Sequence, residues 1–343
     1  MRALLLLATF MLLPAAAPLP TVPVYREFGR WLVACDNTRA CIARGFDKVT
    51  RAQLDLIRPA GESLPTLRLS ADTPIDVDAI RLDGQTLPLP APAWSNKDGA
   101  VSTSDAAAVK AFVTAVRDAR MITLDAAPPK DEEPRSVPMN GFTAALLLID
   151  AVQGRPGTRT PLIAAQGADV PPIVPPPLPP APAWVPPPSL SQAEAARLAR
   201  QASRLRSPGF GSCEVRDPPR VYALDQASAL AIRPCAMAAY QGSSVVAVLD
   251  RGSGRQRPVQ LGLPGVPGGV PGAATDGPDM VDPGFDPATG TLSTSSKGRG
   301  LADCGSSEAW VWSAGAFRLK SLNYQGQCGG TEPGDWPALF RTR

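Results

Sequence analysis

Residues 31–46 read WLVACDNTRACIARGF. Two short apolar runs, 31–35 and 41–46, flank Asp36-Asn37-Thr38-Arg39, whose Asp and Asn favour tight turns by bonding their own backbone. The segment therefore predicts two strands folded back as a hairpin, with a bond between Cys35 and Cys41 clamping it. Strand-like alternation continues at 53–57, 66–69 and 75–82, punctuated by Pro59, Pro65 and Pro74. Helical spacing first appears at 105–119, where Val109, Phe112, Val113 and Val116 share a face behind the candidate caps Ser102 and Ser104. A strand is predicted at 121–124. A second helix follows at 141–153, with Asn140 as N-cap, Gly154 just past its end, and Phe142, Ala145, Leu146, Ile149 and Val152 facing a core. The first part of the chain thus reads as α+β.

Composition breaks at 170–189, VPPIVPPPLPPAPAWVPPPS, where 11 of 20 residues are proline. Such a run can neither pair as a strand nor continue a helix. It predicts a semi-rigid linker in polyproline geometry at about 3.1 Å per residue, with Trp184 resting on a domain surface. Beyond it, Ser191-x-x-Glu194 forms a capping box for an Ala- and Arg-rich helix reaching about Arg206, whose Arg197, Arg200, Arg204 and Arg206 read as a solvated face rather than an anion site. From Cys213 onward short strands recur at 221–224, 230–235, 245–249, 259–263, 292–296, 309–312 and 317–322, with 264–290 as a Gly/Pro/Asp-rich mobile loop. The expected class is α+β, mainly β. It comprises an N-terminal β-sandwich-like domain with packed helices (24–168), a proline-rich linker (169–190), and a helix plus C-terminal all-β domain (191–343), a sandwich or small barrel.

A chain of 343 residues suits two modest cores better than one large one. It contains no histidine, which removes imidazole bases, Ser-His-Asp and Cys-His nucleophile pairs, and His-ligated metal or haem sites. A net charge of +3, spread along the chain, falls short of the basic stripe that nucleic acid requires. Met1-Arg2, the apolar run 3–13 and Ala15-Ala16-Ala17 predict a secretory signal peptide, 1–17, and hence a periplasmic protein. The run meets Pro14 after about a dozen residues, too few to span a bilayer, and the next most apolar stretch, 142–152, contains Asp150, so no membrane span is expected in the mature chain. Export puts six cysteines in an oxidising compartment, where disulfides are the default. Six cysteines permit 15 connectivities. Their spacing, with 5, 21 and 23 intervening residues, favours local pairing 35/41, 213/235 and 304/328. The lack of any Cys-x-x-Cys argues against metal ligation and thioredoxin-like redox work, and no cofactor is expected.

Four segments stand out: Phe28-Gly29-x-Trp31 leading into Cys35-Asp36-Asn37-Thr38 and Cys41; Gly141-Phe142-Thr143-Ala144-Ala145-Leu146 running on to Asp150-x-x-Gln153-Gly154-Arg155; Ala238-Ala239-Tyr240; and Lys297-Gly298-Arg299-Gly300-Leu301-Ala302-Asp303-Cys304-Gly305, followed by Trp310-Val311-Trp312. Together they resemble a family of exported bacterial proteins catalogued as domain of unknown function 1176. Two positions depart from the pattern: Gln241 and Ala302 stand where Asn and Gly are expected. The first half also resembles the invasion-associated locus B family of periplasmic proteins, which implies a β-sandwich with a packed helix. Neither resemblance supplies a catalytic residue.

Trp310, Trp312 and Leu319 offer an aromatic platform, although a paired strand face of this composition is more often core. Asp276, Asp279, Asp282 and Asp286 hint at calcium, but the EF-hand pattern is absent and prolines stiffen the loop, so no metal site is expected. Lys297 and Arg299, spaced by flexible glycines, form the candidate ligand-binding loop for a carboxylate or phosphate. An enzyme lacking histidine needs paired carboxylates or a Ser-Lys pair, and no Ser-x-x-Lys occurs. The expected function is a non-catalytic, disulfide-stabilised protein binding an envelope protein or glycan. The alternative is a carboxylate-dependent cell-wall glycan hydrolase.

Overall fold

The computed structural model describes residues 18–61, 64–90, 92–125, 133–156, 158, 160–163, 173–209, 211–266, 270, 279–330 and 335–343. The expected signal peptide 1–17 lies outside them, as do 169–172 of the proline-rich run.

The opening hairpin forms as read. β1 (Val24–Phe28), β2 (Trp31–Cys35), β3 (Cys41–Phe46), β4 (Gln53–Arg58) and β5 (Thr66–Ser70) pair in antiparallel succession. The same sheet ends with β9 and β8, after β6 (Arg81–Leu82), β7 (Gln85–Thr86), β8 (Ser95–Lys97) and β9 (Ala100–Thr103) have been laid down in chain order. Alternation puts Trp31, Val33, Cys35, Ala43, Leu54, Leu56, Leu67 and Leu69 into one core, while Leu32, Ala34 and Phe46 on the opposite face enter another. A strand buried on both faces explains why 31–35 is apolar throughout. Trp31 is paired with Gly45, where a Cβ would fall 2.3 Å from the indole, so glycine is required to seat the ring. Its Nε1 donates to the Pro138 carbonyl at 2.8 Å. Full burial of an aromatic of this size stabilises by roughly 1.5 to 3 kcal/mol or more.

The helices α1 (Ala106–Val116) and α2 (Phe142–Val152), with β10 (Met121–Thr123) and β11 (Ser136–Pro138) between them, cover that core. Three local expectations are corrected here. Asp105, not Ser102 or Ser104, caps α1, accepting from Ala108 N at 2.8 Å. Gly141 rather than Asn140 caps α2, because at φ 105 any Cβ would sit 1.9 Å from the Phe28 carbonyl oxygen. Residues 75–82 do not form one strand: the Asp76 side chain accepts from Asp78 N and starts a 3-10 turn, Val77–Ala79, leaving only β6 extended.

Beyond α3 (Gln192–Ala202), capped by Ser191 through Glu194 N, two antiparallel sheets form. One contains β12 (Arg220–Ala223), β13 (Ser228–Met237), β14 (Gly242–Asp250) and β15 (Gln256–Pro258), with β16 (Asp279–Val281) also on β14. The other runs β17 (Gly284–Asp286), β18 (Thr291–Lys297), β19 (Gly305–Ser313), β20 (Ala316–Gln325) and β21 (Ala338–Arg341). Leu230, Ile232, Val246 and Val248 of the first meet Leu292, Trp310, Trp312 and Phe317 of the second as a sandwich core. The other face of the first sheet, Ala229, Ala231, Val245, Ala247 and Leu249, packs under Leu198 and Ala202 of α3. Trp310 and Trp312 are therefore core, and no sugar platform. The β19–β20 turn places Ala314 and Gly315 at φ 49 and 78, the two positive angles of a tight hairpin.

Two expectations fail in this half. Residues 259–263 are not a strand: β15 ends at Pro258, and Val259 and Leu261 enter the sandwich core from outside any strand. The region 264–290 is not all loop, since β16 and β17 lie within it, and their Met280 and Phe285 enter the sandwich core.

The halves share a third core, where Tyr25, Leu32, Ala34 and Phe46 meet Leu322, Tyr324 and Leu339. Arg341 pairs with Asp36, and the Asn37 side chain accepts from Arg341 N at 3.0 Å and donates from Nδ2 to the Arg341 carbonyl at 3.1 Å. The proline-rich run carries no helix or strand over 173–190. It lies across both halves. Ile173 packs over Gly154, the Leu178 and Pro179 carbonyls accept from Arg343, Trp184 lies on Gly290, and the Pro188 carbonyl accepts from Arg251. A Cβ on Gly290, at φ +64, would meet the Trp184 ring at 2.2 Å. Gly290→Ala is therefore expected to displace the indole and cost about 1 to 2 kcal/mol through the left-handed backbone alone. Tryptophan emission should shift to longer wavelength, and an unchanged spectrum and melting temperature would refute this packing.

Candidate functional site

Two loops separated by more than fifty residues converge at the end of the C-terminal sandwich. The turn after β18, 297–304, is set by Gly298, whose N–H donates to the Cys304 carbonyl at 2.9 Å and where a Cβ would lie 2.5 Å from Cys304 Sγ. Ala302 closes it, donating to the Arg299 carbonyl at 2.9 Å from a backbone at φ 56. That left-handed conformation is the reason glycine suits this position, and alanine holds it at a cost of about 1 to 2 kcal/mol. The disulfide Cys304–Cys328 fastens the turn from beneath.

Arg299 donates to Asp303 through both Nε, at 2.8 Å, and Nη2. The Asp303 carboxylate is 1% exposed, while the Arg299 side chain is 41% exposed. Hydrogen bonding to the guanidinium holds the Asp303 carboxyl below its ordinary range, and the same bond raises Arg299. Arg299 thus braces the loop as well as presenting charge at its rim. Lys297 donates its backbone N–H to Gln241 Oε1 at 2.9 Å, and its Nζ lies 3.5 Å from the Tyr240 carbonyl. Gln241, the second departure from the expected pattern, is thereby the residue that ties the two loops.

The Tyr240 ring stacks over Gly300, where a Cβ would be 3.4 Å away, and Met237 folds over Gly242. Met237, Tyr240 and Leu301 are 75%, 43% and 58% exposed, so three large apolar side chains stand in water around these loops. Exposed large apolar side chains on neighbouring loops make this end of the sandwich a candidate interaction surface. Sequence reasoning singled out Lys297 and Arg299 and missed this apolar part. The available signal was Leu301 within a glycine-rich polar turn, with no strand or helix to bury it.

A family model described as a protein of unknown function, DUF1176, matches residues 25–343. The chain belongs to the DUF1176 family. The uncharacterized protein YpfG of Escherichia coli (strain K12) is 30% identical over 359 aligned residues, covering 98% of this chain and 98% of its own. No solved structure matches the chain. The family match carries the first resemblance alone, and the likeness to the invasion-associated locus B family stays a reading of residues in the first half.

In this DUF1176 chain all three disulfides join sequence neighbours: Cys35–Cys41, Cys213–Cys235 and Cys304–Cys328. The motif Asp150-x-x-Gln153-Gly154-Arg155 anchors the end of α2. Asp150 pairs with Arg58 at 2.9 Å, and Gln153 Nε2 donates to the Arg39 and Arg58 carbonyls at 2.9 and 3.1 Å. Asp279, Asp282 and Asp286 bond in separate turns and do not converge on one cation. Asp279 accepts from Ser207 and Gly209, Asp282 from Gly242, and Asp286 from Ala288 and Thr289, while Asp276 lies outside the described residues. Among the described residues one group of metal-type donors converges, Asp303 with Cys304 and Cys328, and its sulfurs are joined to each other. Arg200, Arg204 and Arg206 are exposed, and Arg197 bonds the Arg251 carbonyl.

Proposed function

We propose that this chain is an exported, non-catalytic periplasmic protein that holds an envelope protein on the loop platform of Met237, Tyr240 and Leu301, with Lys297 and Arg299 as its cationic rim. The observation that carries the reading is the exposure of these three apolar side chains around a disulfide-fixed turn. Fixing the loops beforehand removes much of the ordering entropy that binding otherwise costs. An apolar centre with cations at its edge suits a partner that presents apolar side chains ringed by carboxylates. Three disulfides suit the oxidising compartment to which a signal peptide at 1–17 would send the chain. On this reading 24–168 and 191–343 are two domains, with 169–190 joining them.

Arg299 is a poor handle for a test, because its loss would leave the buried Asp303 carboxylate without its guanidinium and disturb the loop itself. Lys297→Glu and Leu301→Ser alter the rim and the centre at less buried positions. Cross-linking and pull-down from envelope extracts should recover a specific protein with the wild type and about tenfold less of it with each variant, equivalent to about 1.4 kcal/mol. Equal recovery with both variants would exclude the platform. Release of soluble fragments from purified cell-wall polymer would instead favour the carboxylate-dependent hydrolase.

A further inference from the structure

We propose that the cleft between α1 and the residues Arg58, Leu64, Pro65, Arg155 and 160–163 is a second site, which binds a small amphiphilic monoanion: an apolar chain ending in one carboxylate. Leu64, Pro65, Val109, Val113, Leu162 and Ile163 line its apolar part, and Arg58, Arg155, Thr160 and Lys110 its polar part. Its volume is about 300 Å³. At about 30 Å³ for each water-sized group, this accommodates roughly ten non-hydrogen atoms, the size of octanoate.

Among the described residues the charge at the polar end does not balance. Arg58 and Arg155 are 4% and 5% exposed, and one described carboxylate, Asp150, faces them. Arg58 reaches Asp150 through Nη1 at 2.9 Å and the Thr160 carbonyl through Nη2 at 2.7 Å. Arg155 reaches Thr160 Oγ1 at 2.8 Å and the Gly61 carbonyl. Burial first, and the neighbouring Arg155 charge second, pull Arg58 down to about 10, as expected of two cations sharing one buried partner. Nε of Arg58 and Nε of Arg155 are also buried without an acceptor among the described residues, which adds to the cost of holding both cations here. Buried polar groups of this kind are normally satisfied, and each orphan is costly. A carboxylate entering the cleft supplies the missing negative charge, while the apolar walls take up its chain. Lys110 at the exposed rim adds a third positive charge on the way in. The platform of the C-terminal half plays no part in this site.

Titration calorimetry of the intact, oxidised chain with octanoate should give saturable binding at one site. Octanol lacks the charge and acetate lacks the chain, so each should bind at least tenfold more weakly. Lys110→Glu and Thr114→Trp lie at exposed positions of α1, so they reverse the rim charge and fill the cleft without burdening the fold. Each should weaken octanoate about tenfold, with wild-type circular dichroism. Equal affinity for octanol, unchanged octanoate affinity in both variants, or no saturable binding would overturn the proposal. These readouts use no envelope partner, so they stand or fall apart from the platform.

Discussion

Arg44→Ala is expected to cost about 3 to 5 kcal/mol, the loss typical when one partner leaves a buried ion pair. Arg44 is 2% exposed and sits on the face of the first sheet that meets the C-terminal half. Its Nε and Nη2 donate to the two Asp55 carboxylate oxygens at 2.8 and 3.1 Å, a bidentate clamp within the sheet. Its Nη1 crosses to the other half, reaching the Asp335 carbonyl at 2.7 Å and Gln325 Oε1 at 3.1 Å. Alanine would leave Asp55, itself 1% exposed, with Gln53 Nε2 at 2.8 Å and no cation. Urea unfolding should show the midpoint falling steeply. Pairing Arg44→Met with Asp55→Leu should recover most of the loss, because an apolar pair of similar volume needs no counter-charge. A loss below about 1 kcal/mol for the single variant would contradict this account.

Reduction of all three disulfides should abolish cooperative folding at 37 °C. In the chain-entropy treatment, closing loops of 22 and 24 residues contributes about 3.5 kcal/mol each, and closing the six-residue loop of Cys35–Cys41 about 2. The total, about 9 kcal/mol, is comparable with the whole net stability of a typical domain, about 5 to 15 kcal/mol. Paired Cys→Ala variants should rank accordingly, with the 35/41 pair the mildest. Its hairpin has a second brace: Asp36 Oδ1 accepts from Thr38 N and Thr38 Oγ1 at 2.7 Å each and from Ala40 N at 3.1 Å. Thermal melts followed by circular dichroism with and without reductant would test both statements. A midpoint unmoved by full reduction would remove covalent bracing as the source of stability.

What the sequence disclosed was local. The hairpin 31–46 could be read because alternation, turn residues and both cysteines lie within sixteen positions, and Ser191 announced α3 by its distance from Glu194. Strands β8 and β15 carry polar side chains and become strands through pairing with β9 and β14, a register that no local pattern encodes. The apolar run 259–263 misled for the opposite reason, since an irregular segment that enters a core carries the same apolar signature as a strand. Of the candidate site, the cations were visible within one turn, but Tyr240 joins them through contacts between distant loops, Gln241 accepting from Lys297 N and the Tyr240 ring lying over Gly300. Arg44 looked like one polar position in a strand. Its task depends on Gln325 and Asp335, separated from it by 281 and 291 residues.

The docked proline run has a consequence for how two copies of the chain can meet while folding. Exchange of matching parts between molecules is a characteristic error of chains built from two sections, and it needs a connector that can swing free. Here the prolines have fixed φ before docking, so little conformational freedom is lost when the run lies down. Its contacts with Gly154, Arg343, Gly290 and Arg251 then thread each C-terminal section back onto the N-terminal section of its own molecule. Swapped pairs are therefore expected to be disfavoured once these contacts form.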